Sequence, residues 1–412
     1  MKARGVISAH DWVLFTECCF RNDTKRAEFQ RIAREAFGWF FVVDSTGESN
    51  FRIGVCEVQP LAGIERSLSD DALNFFKDCS AIEITSDGVR AFCGMIAAVI
   101  ASEARLILID EPEAFLHPAL ATNLAKELCP QAVTNKLQLI VATHEAPFVM
   151  GCVQAGIDLT IVRLTFRRNI GTSRVLHSSD LLPLMRDPLL RSAGALNGIF
   201  YESVVVTEAD RDRAFYDEIN HRNVTFNPGR GIRDCLFLNA QNWQTTARII
   251  APLRRLGVAA AAIVDVDIIL DDKAPAFQSL LEAAGVPEGS RRSLGQLRGD
   301  LRSKVGDRKA ELKSRGINLL SGPDRQDLEN FIAQLANYGA FVVPVGEVES
   351  WLRELPRRTS DKSEWLSETF EAMGQDASSS SYLKPTNEDV WHFLQIVGSW
   401  LNDPNRRGIP EA

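Results

Sequence analysis

The sequence predicts an α/β chain with parallel sheets, and two observations carry that expectation. Short apolar runs recur, and each is followed by acidic residues. They are Leu106–Ile109 before Asp110 and Glu111, Ser203–Thr207 before Glu208, Ala259–Val264 before Asp265 and Asp267, and the run from Ala340 before Glu347 and Glu349. Stretches of helical spacing lie between them. Near-continuous apolar strands suit a parallel sheet covered on both faces, and open α/β sheets bind their ligands at the carboxyl ends of strands.

Composition bounds the function classes. The chain has 412 residues, 45% of them hydrophobic and 24% charged, which suits a soluble protein of two or three domains. The N-terminus MKARGVISAHDW has no apolar signal core, and no apolar run reaches spanning length, so no membrane partner is expected. Eight cysteines are scattered, Cys18 and Cys19 adjacent, with no CxxC pair or zinc-ligand spacing. A reduced, cytoplasmic protein is the expectation. The net charge of −8 argues against bulk attraction to nucleic acid, so DNA binding would need a local patch.

In chain order, Thr24 to Phe37 has the spacing of a helix, with Ala27, Phe29, Ile32, Ala33 and Phe37 on one side. Phe40–Asp44 and Phe51–Val58 suit a strand pair around the turn from Ser45 to Asn50. Ser86-Asp-Gly88 opens a helix from Val89 to about Ser102. A serine hydroxyl and backbone amides there suit an anion, and they equally suit a plain N-cap. Leu106–Ile109 reads as a strand buried on both faces. Asp110 at its end can hold Mg²⁺, often through water, and Glu111 can orient or deprotonate an attacking water. Leu139 to Thr143 is a further strand, followed by His144.

The run LILIDEPEAFLHP resembles the Walker B and D-loop segment of ABC-type ATPases, especially the structural-maintenance and OLD (overcoming lysogenization defect) kinds. Ile84 to Arg90 is similar to their signature loop, and Leu139 to His144 to their last core strand and switch histidine. The resemblance implies that Ser86 and Gly88 contact the γ-phosphate held by an opposite subunit, that the active sites form only in a homodimer, and that His144 touches the γ-phosphate. His117 falls in the D-loop region, where a dimer contact is implied. No GxxxxGK[ST] occurs, so the glycine-rich backbone cradle and its lysine are missing from this stretch of chain. ATP is therefore expected as a cofactor only if a P-loop is supplied, by a missing N-terminus or by a separate polypeptide.

Residues 166–202 read as a turn-rich connection. From Ser203 the theme of strand and acid repeats three times. Acids gathered at one sheet edge repel unless cations bind among them. A plain acidic rim on a Rossmann-like domain is the alternative. The pattern VVVTEADRDRAFY, IVDVDII and VPVGEVESWL resembles the Toprim nuclease half of OLD-family proteins. It departs at Ala209, where that family usually has glycine, which matters only if φ is positive there. The resemblance implies Mg²⁺ or Mn²⁺, two ions, held by Glu208, Asp212, Asp265, Asp267, Glu347 and, as a weaker candidate, Glu349. Asp210 is expected to face solvent.

Arg298, Arg302 and Lys309 recur at roughly helical spacing and would suit a phosphate backbone, although a charge run is usually a solvated face. After Leu355 the tail is polar, with Ala377 to Ser381 as a linker. A helix from Asn387 to Leu401 carries Val390, Phe393, Leu394, Val397 and Trp400 for docking on its own domain.

The expected architecture is a partial ABC-type (P-loop NTPase) lobe over residues 1–165, a connection over 166–202, a Rossmann-like Toprim domain with a parallel sheet over 203–355, and a C-terminal linker and helix over 356–412. The expected function is an ATP-regulated, metal-dependent DNA endonuclease of the OLD type, for which antiphage defence is a common setting. The catalytic candidates are Glu111, His144, Glu208 and Asp265. The alternative is a non-hydrolysing regulatory or sensor subunit, or an ATPase lobe awaiting a P-loop partner.

Overall fold

A computed structural model describes residues 9–46, 51–167, 169–271, 274–356 and 364–409. The chain divides into two compact units, residues 1–159 and 160–412. No described helix is long and apolar enough to cross a membrane.

In the first unit, strands β1 (Phe40–Asp44), β2 (Arg52–Cys56) and β3 (Ser80–Ala81) form an antiparallel sheet. Residues 47–50 of the expected turn lie outside the described residues. The helix Asp23–Phe37 starts where the Asn22 side chain accepts from Lys25 N at 3.1 Å and stops at Gly38, whose φ of 75° suits glycine. The helix Asp87–Ala101 buries Phe92, Ile96, Val99 and Ile100 in a core shared with Phe29, Ile32, Phe41, Leu124 and Leu128.

Strands β4 (Leu106–Asp110) and β5 (Gln138–Ala142) pair in parallel, with Leu108 opposite Ile140 and Asp110 opposite Ala142. The expectation that Leu106–Ile109 is buried on both faces is corrected here. Ile107, Ile109, Leu139 and Val141 pack on the core, whereas Leu106, Leu108 and Ile140 are 47, 55 and 51% exposed. Successive strand side chains point to opposite faces, and among the described residues the helices of this unit cover one face only. A second correction concerns the cysteines: Cys56 and Cys79 form a disulfide, their Cα atoms 4.8 Å apart. With 22 residues between them and no motif around either, spacing alone could not reveal the pair.

The second unit opens with a hairpin of β6 (Thr160–Arg167) and β7 (Ile170–His177), so the stretch read as a connection contains a full strand. Next comes a parallel sheet of β8 (Ser203–Thr207), β9 (Cys235–Asn239), β10 (Ala259–Val264) and β11 (Ala340–Val342), in the order β11-β10-β8-β9. Strands β8 and β10 are buried at every residue. The helix Asp389–Asn402 buries Val390, Phe393, Leu394, Val397 and Trp400 in the core of this unit. Arg254 is buried nearby, donating to the carbonyls of Ala260, Ala284 and Tyr338 at 2.8–2.9 Å. It thereby satisfies backbone acceptors that water cannot reach.

Arg298 is also corrected. It is buried on the helix Glu288–Val305, donating to the carbonyls of Ile268 (2.8 Å) and Asp271. Lys309 begins a separate helix, Lys309–Arg315, so the three cations form no single helical stripe.

Candidate functional site

Two clusters stand at carboxyl ends of parallel strands, one in each unit. In the first, the register of β4 with β5 sets Asp110 and Glu111 beside Thr143 and His144. Glu111 has φ of +47°, uncommon for a side-chain-bearing residue, and its N–H donates to Ala142 O at 2.9 Å. Asp110, Glu111 and His144 are exposed. Sequence reasoning passed over Glu113. Its carboxylate is buried, and its Oε1 accepts from Thr143 Oγ1 at 2.6 Å and from His144 N at 3.2 Å. The only available cue was a second acid two positions beyond Glu111.

Ser86 caps its helix, accepting from Val89 N at 3.4 Å. Gly88 lies against the loop that follows β4: a Cβ there would meet Phe115 O at 2.9 Å. His117 caps the helix Pro118–Thr134, its Nδ1 accepting from Leu120 N at 3.4 Å.

In the second cluster, adjacent β8 and β10 deliver Glu208 and Asp265 side by side, and Asp265 N donates to Glu208 Oε1 at 2.6 Å. Asp212 lies in the first turn of the helix Asp210–Phe226, where its Oδ2 accepts from Ala209 N at 3.0 Å. Ala209 has φ of −125°, extended backbone that alanine adopts freely, so no positive φ calls for glycine at this position. Asp210 is exposed and paired with Arg213 at 2.7 Å.

Lys313, also missed in the sequence, lies 3.0 Å from Asp267 and pairs with Glu347. Its helix reaches the Glu347 loop through a close backbone approach. Gly346, at φ +121°, has no room for a Cβ beside Lys313 O, and Gly316, at φ +53°, has none beside Pro344 O. Arg211 approaches Glu349 at 3.3 Å.

Burial and crowding shift these acids upward. Glu208 is pushed up to about 8, first by desolvation and then by Asp267 and Asp212. Desolvation pushes Asp212 up to about 6, with Glu349 and Glu347 adding to it. Asp265 is raised well above the ordinary carboxylate range by burial and by Glu208.

The donor set is all hard oxygen, the kind that suits Mg²⁺ or Mn²⁺. Among the described residues, however, no three acidic, histidine or cysteine side chains already stand in a metal-holding arrangement. Negative charge is offset instead by Lys313 and Arg211. The set therefore fits the ions by chemistry, and side-chain movement would be needed to grip them.

Residues 71–151 match the family described as "AAA domain, putative AbiEii toxin, Type IV TA system". No curated protein matches the chain. Three solved structures are similar over about two-fifths of it. The first is described as "Structural biochemistry of ATP-driven dimerization and DNA stimulated activation of SMC ATPases" (16% identity, 41% of this chain and 95% of that one, TM-score 0.27). The second is an SmcHead bound to the C-winged helix domain of ScpA (17%, 40% and 45%, 0.28). The third is an Smc head domain with an extended coiled coil bound to the C-terminal domain of ScpA derived from Pyrococcus furiosus (16%, 40% and 37%, 0.29). The match thus spans less than half of the second and third. The family match gives this chain an ATPase-type domain over residues 71–151, which hold Ser86, Gly88, Asp110, Glu111 and His144.

Proposed function

We propose that the second unit is a metal-dependent phosphodiesterase of the Toprim kind acting on DNA, and that the ATPase-type domain makes it responsive to ATP, as in OLD-family nucleases. The observation that carries this reading is the convergence of Glu208, Asp212, Asp265, Asp267 and Glu347, from distant parts of the chain, linked through Lys313 and Asp265 N. A fold gains nothing from five crowded acids, two buried and three half-buried, whose mutual repulsion costs stability. A site that holds cations does gain from them.

Mg²⁺ or Mn²⁺ bound by these acids would polarise a phosphate and lower the pKa of a bound water. The chain's own residues orient the ligands. Asp265 N holds Glu208 Oε1, and Ala209 N holds Asp212 Oδ2. Lys313 fixes Asp267 and Glu347 and adds positive charge where a phosphate would approach.

The test is nicking of supercoiled plasmid by the full chain with Mg²⁺ or Mn²⁺. Cleavage lost in Asp265→Ala is expected. No cleavage with either ion counts against the reading.

A second reading has its own observation. The exposed apolar face of Leu106, Leu108 and Ile140, together with the lack of GxxxxGK[ST] in this sequence, favours a lobe that is completed by P-loop-bearing polypeptide. On that reading the chain does not hydrolyse ATP unaided. ATP turnover by the purified chain that Glu111→Gln abolishes would count against it.

A further inference from the structure

Among the described residues, Glu113 is the one buried acid at the carboxyl edge of β4 and β5. Its side chain is 4% exposed, against 58% for Glu111 and 64% for His144. Its Oε1 gathers the Thr143 hydroxyl and the His144 N–H, and Thr143 Oγ1 in turn accepts from Glu145 N at 3.1 Å. One carboxylate oxygen thereby ties the loop after β4 to the loop after β5. That same oxygen lies 3.5 Å from His144 Nδ1, and Glu111 Oε1 lies 3.5 Å from it on another side. Glu113 Oε2 is buried with no hydrogen-bond partner among the described residues, so removing the carboxylate would not break a second, unrelated network.

An ionised carboxylate only accepts, and a neutral imidazole carries its proton on one nitrogen. A ring nitrogen facing two carboxylates is therefore the one that bears the hydrogen, and the partner of one nitrogen decides the role of the other. We propose that Glu113 is a positioning residue that fixes His144 in its Nδ1–H form. Nε2 is then the acceptor nitrogen, suited to take a hydrogen bond from an attacking water and not to meet a phosphate oxygen, which itself only accepts. His117 presents the opposite arrangement, with Nδ1 accepting from Leu120 N, so its hydrogen sits on Nε2. The two histidines flanking this edge are thus held in different tautomers.

What Nε2 faces rests on the ATPase-type reading of residues 71–151, but the tautomer itself is read without nucleotide, metal or DNA. Failure of plasmid cleavage or of nucleotide binding is therefore distinguishable from failure here. The experiment is ¹⁵N NMR of the histidine rings in the full chain under alkaline conditions, where the rings are neutral, with His144→Gln assigning the resonance. Wild type is expected to show Nδ1–H at His144. Glu113→Leu, which keeps the bulk and removes the acceptor, is expected to move it to Nε2–H or to a mixture, and Glu111→Gln to leave it largely in place. A merely structural role for Glu113 would not move the tautomer. An Nε2–H form in wild type overturns the proposal without any variant, as does an unchanged tautomer in a folded Glu113→Leu protein.

Discussion

The backbone N–H of Asp265 donates to Glu208 Oε1 at 2.6 Å across 57 positions of sequence. It can do so because β8 and β10 are neighbours in the sheet, with Ala262 opposite Val206, and both strands end at the same edge. The bond places one carboxylate against the backbone that carries the next, so the Glu208 side chain cannot turn away without losing a partner.

Arg298 supplies a test that separates packing from DNA contact. Its guanidinium is buried and donates to two carbonyls. Arg298→Ala should lower the stability of the second unit by about 2–4 kcal/mol through orphaned acceptors and lost packing. It should leave the salt dependence of any DNA binding unchanged, because no phosphate contact is lost. A reduced salt slope with unaltered melting would count against this placement.

The half-covered sheet of the first unit makes a second prediction. Leu108 and Ile109 are adjacent in sequence, yet Leu108 is 55% exposed and Ile109 packs on the core. In the isolated chain Leu108→Ser should change stability by no more than about 0.5 kcal/mol. Ile109→Ser should cost about 1.5–3 kcal/mol. Equal costs in denaturant unfolding would mean that the outer face is covered.

These two cases show where sequence reading stops. The alternation of apolar run and acid was legible because β8 and β10 are buried on both faces, which forces continuous apolar composition. The identical pattern at Leu106–Ile109 marks a strand with one face bare, since composition does not say how many layers cover a sheet. That Glu208 and Asp265 follow neighbouring strands of one sheet was readable by position. Lys313 was not, because it reaches the acids through the contact that Gly316 and Gly346 permit between loops distant in sequence. Arg298 was misread because helical spacing shows which residues share a face and not whether that face is wet. Glu113 was hidden inside an acidic run whose neighbours were more conspicuous.

Lys313 makes the third prediction. It bridges Asp267 and Glu347 while remaining about 30% exposed, so solvent screens part of its contribution. Lys313→Met should destabilise the metal-free second unit by about 1–2 kcal/mol, through two acids left facing each other. Added Mg²⁺ should recover part of that loss in a thermal melt. No recovery would mean that the lysine, and not an ion, is the resident charge of this edge.

The acids also set a pH dependence whose sign follows from their shifts. Glu208 rises from its ordinary value of 4.5 to about 8 on folding, Asp212 from 3.8 to about 6, and Asp265 well above its ordinary value. Between the unfolded and folded values the native state binds more protons than the unfolded chain, so stability falls as pH rises through that window. For the metal-free second unit the loss should run from about pH 4 to about pH 8, with any stabilising effect of the protons complete below it. A bound divalent ion replaces those protons and requires ionised ligands. The gain in Tm from Mg²⁺ or Mn²⁺ should therefore be largest at the alkaline end of the window and shrink toward its acid end. Glu208→Gln should flatten the metal-free profile, because the amide has no proton to lose. A metal-free Tm that rises across the window, or a metal-induced gain independent of pH, would show that these carboxylates are already ionised in the absence of metal and that burial does not poise them for an ion.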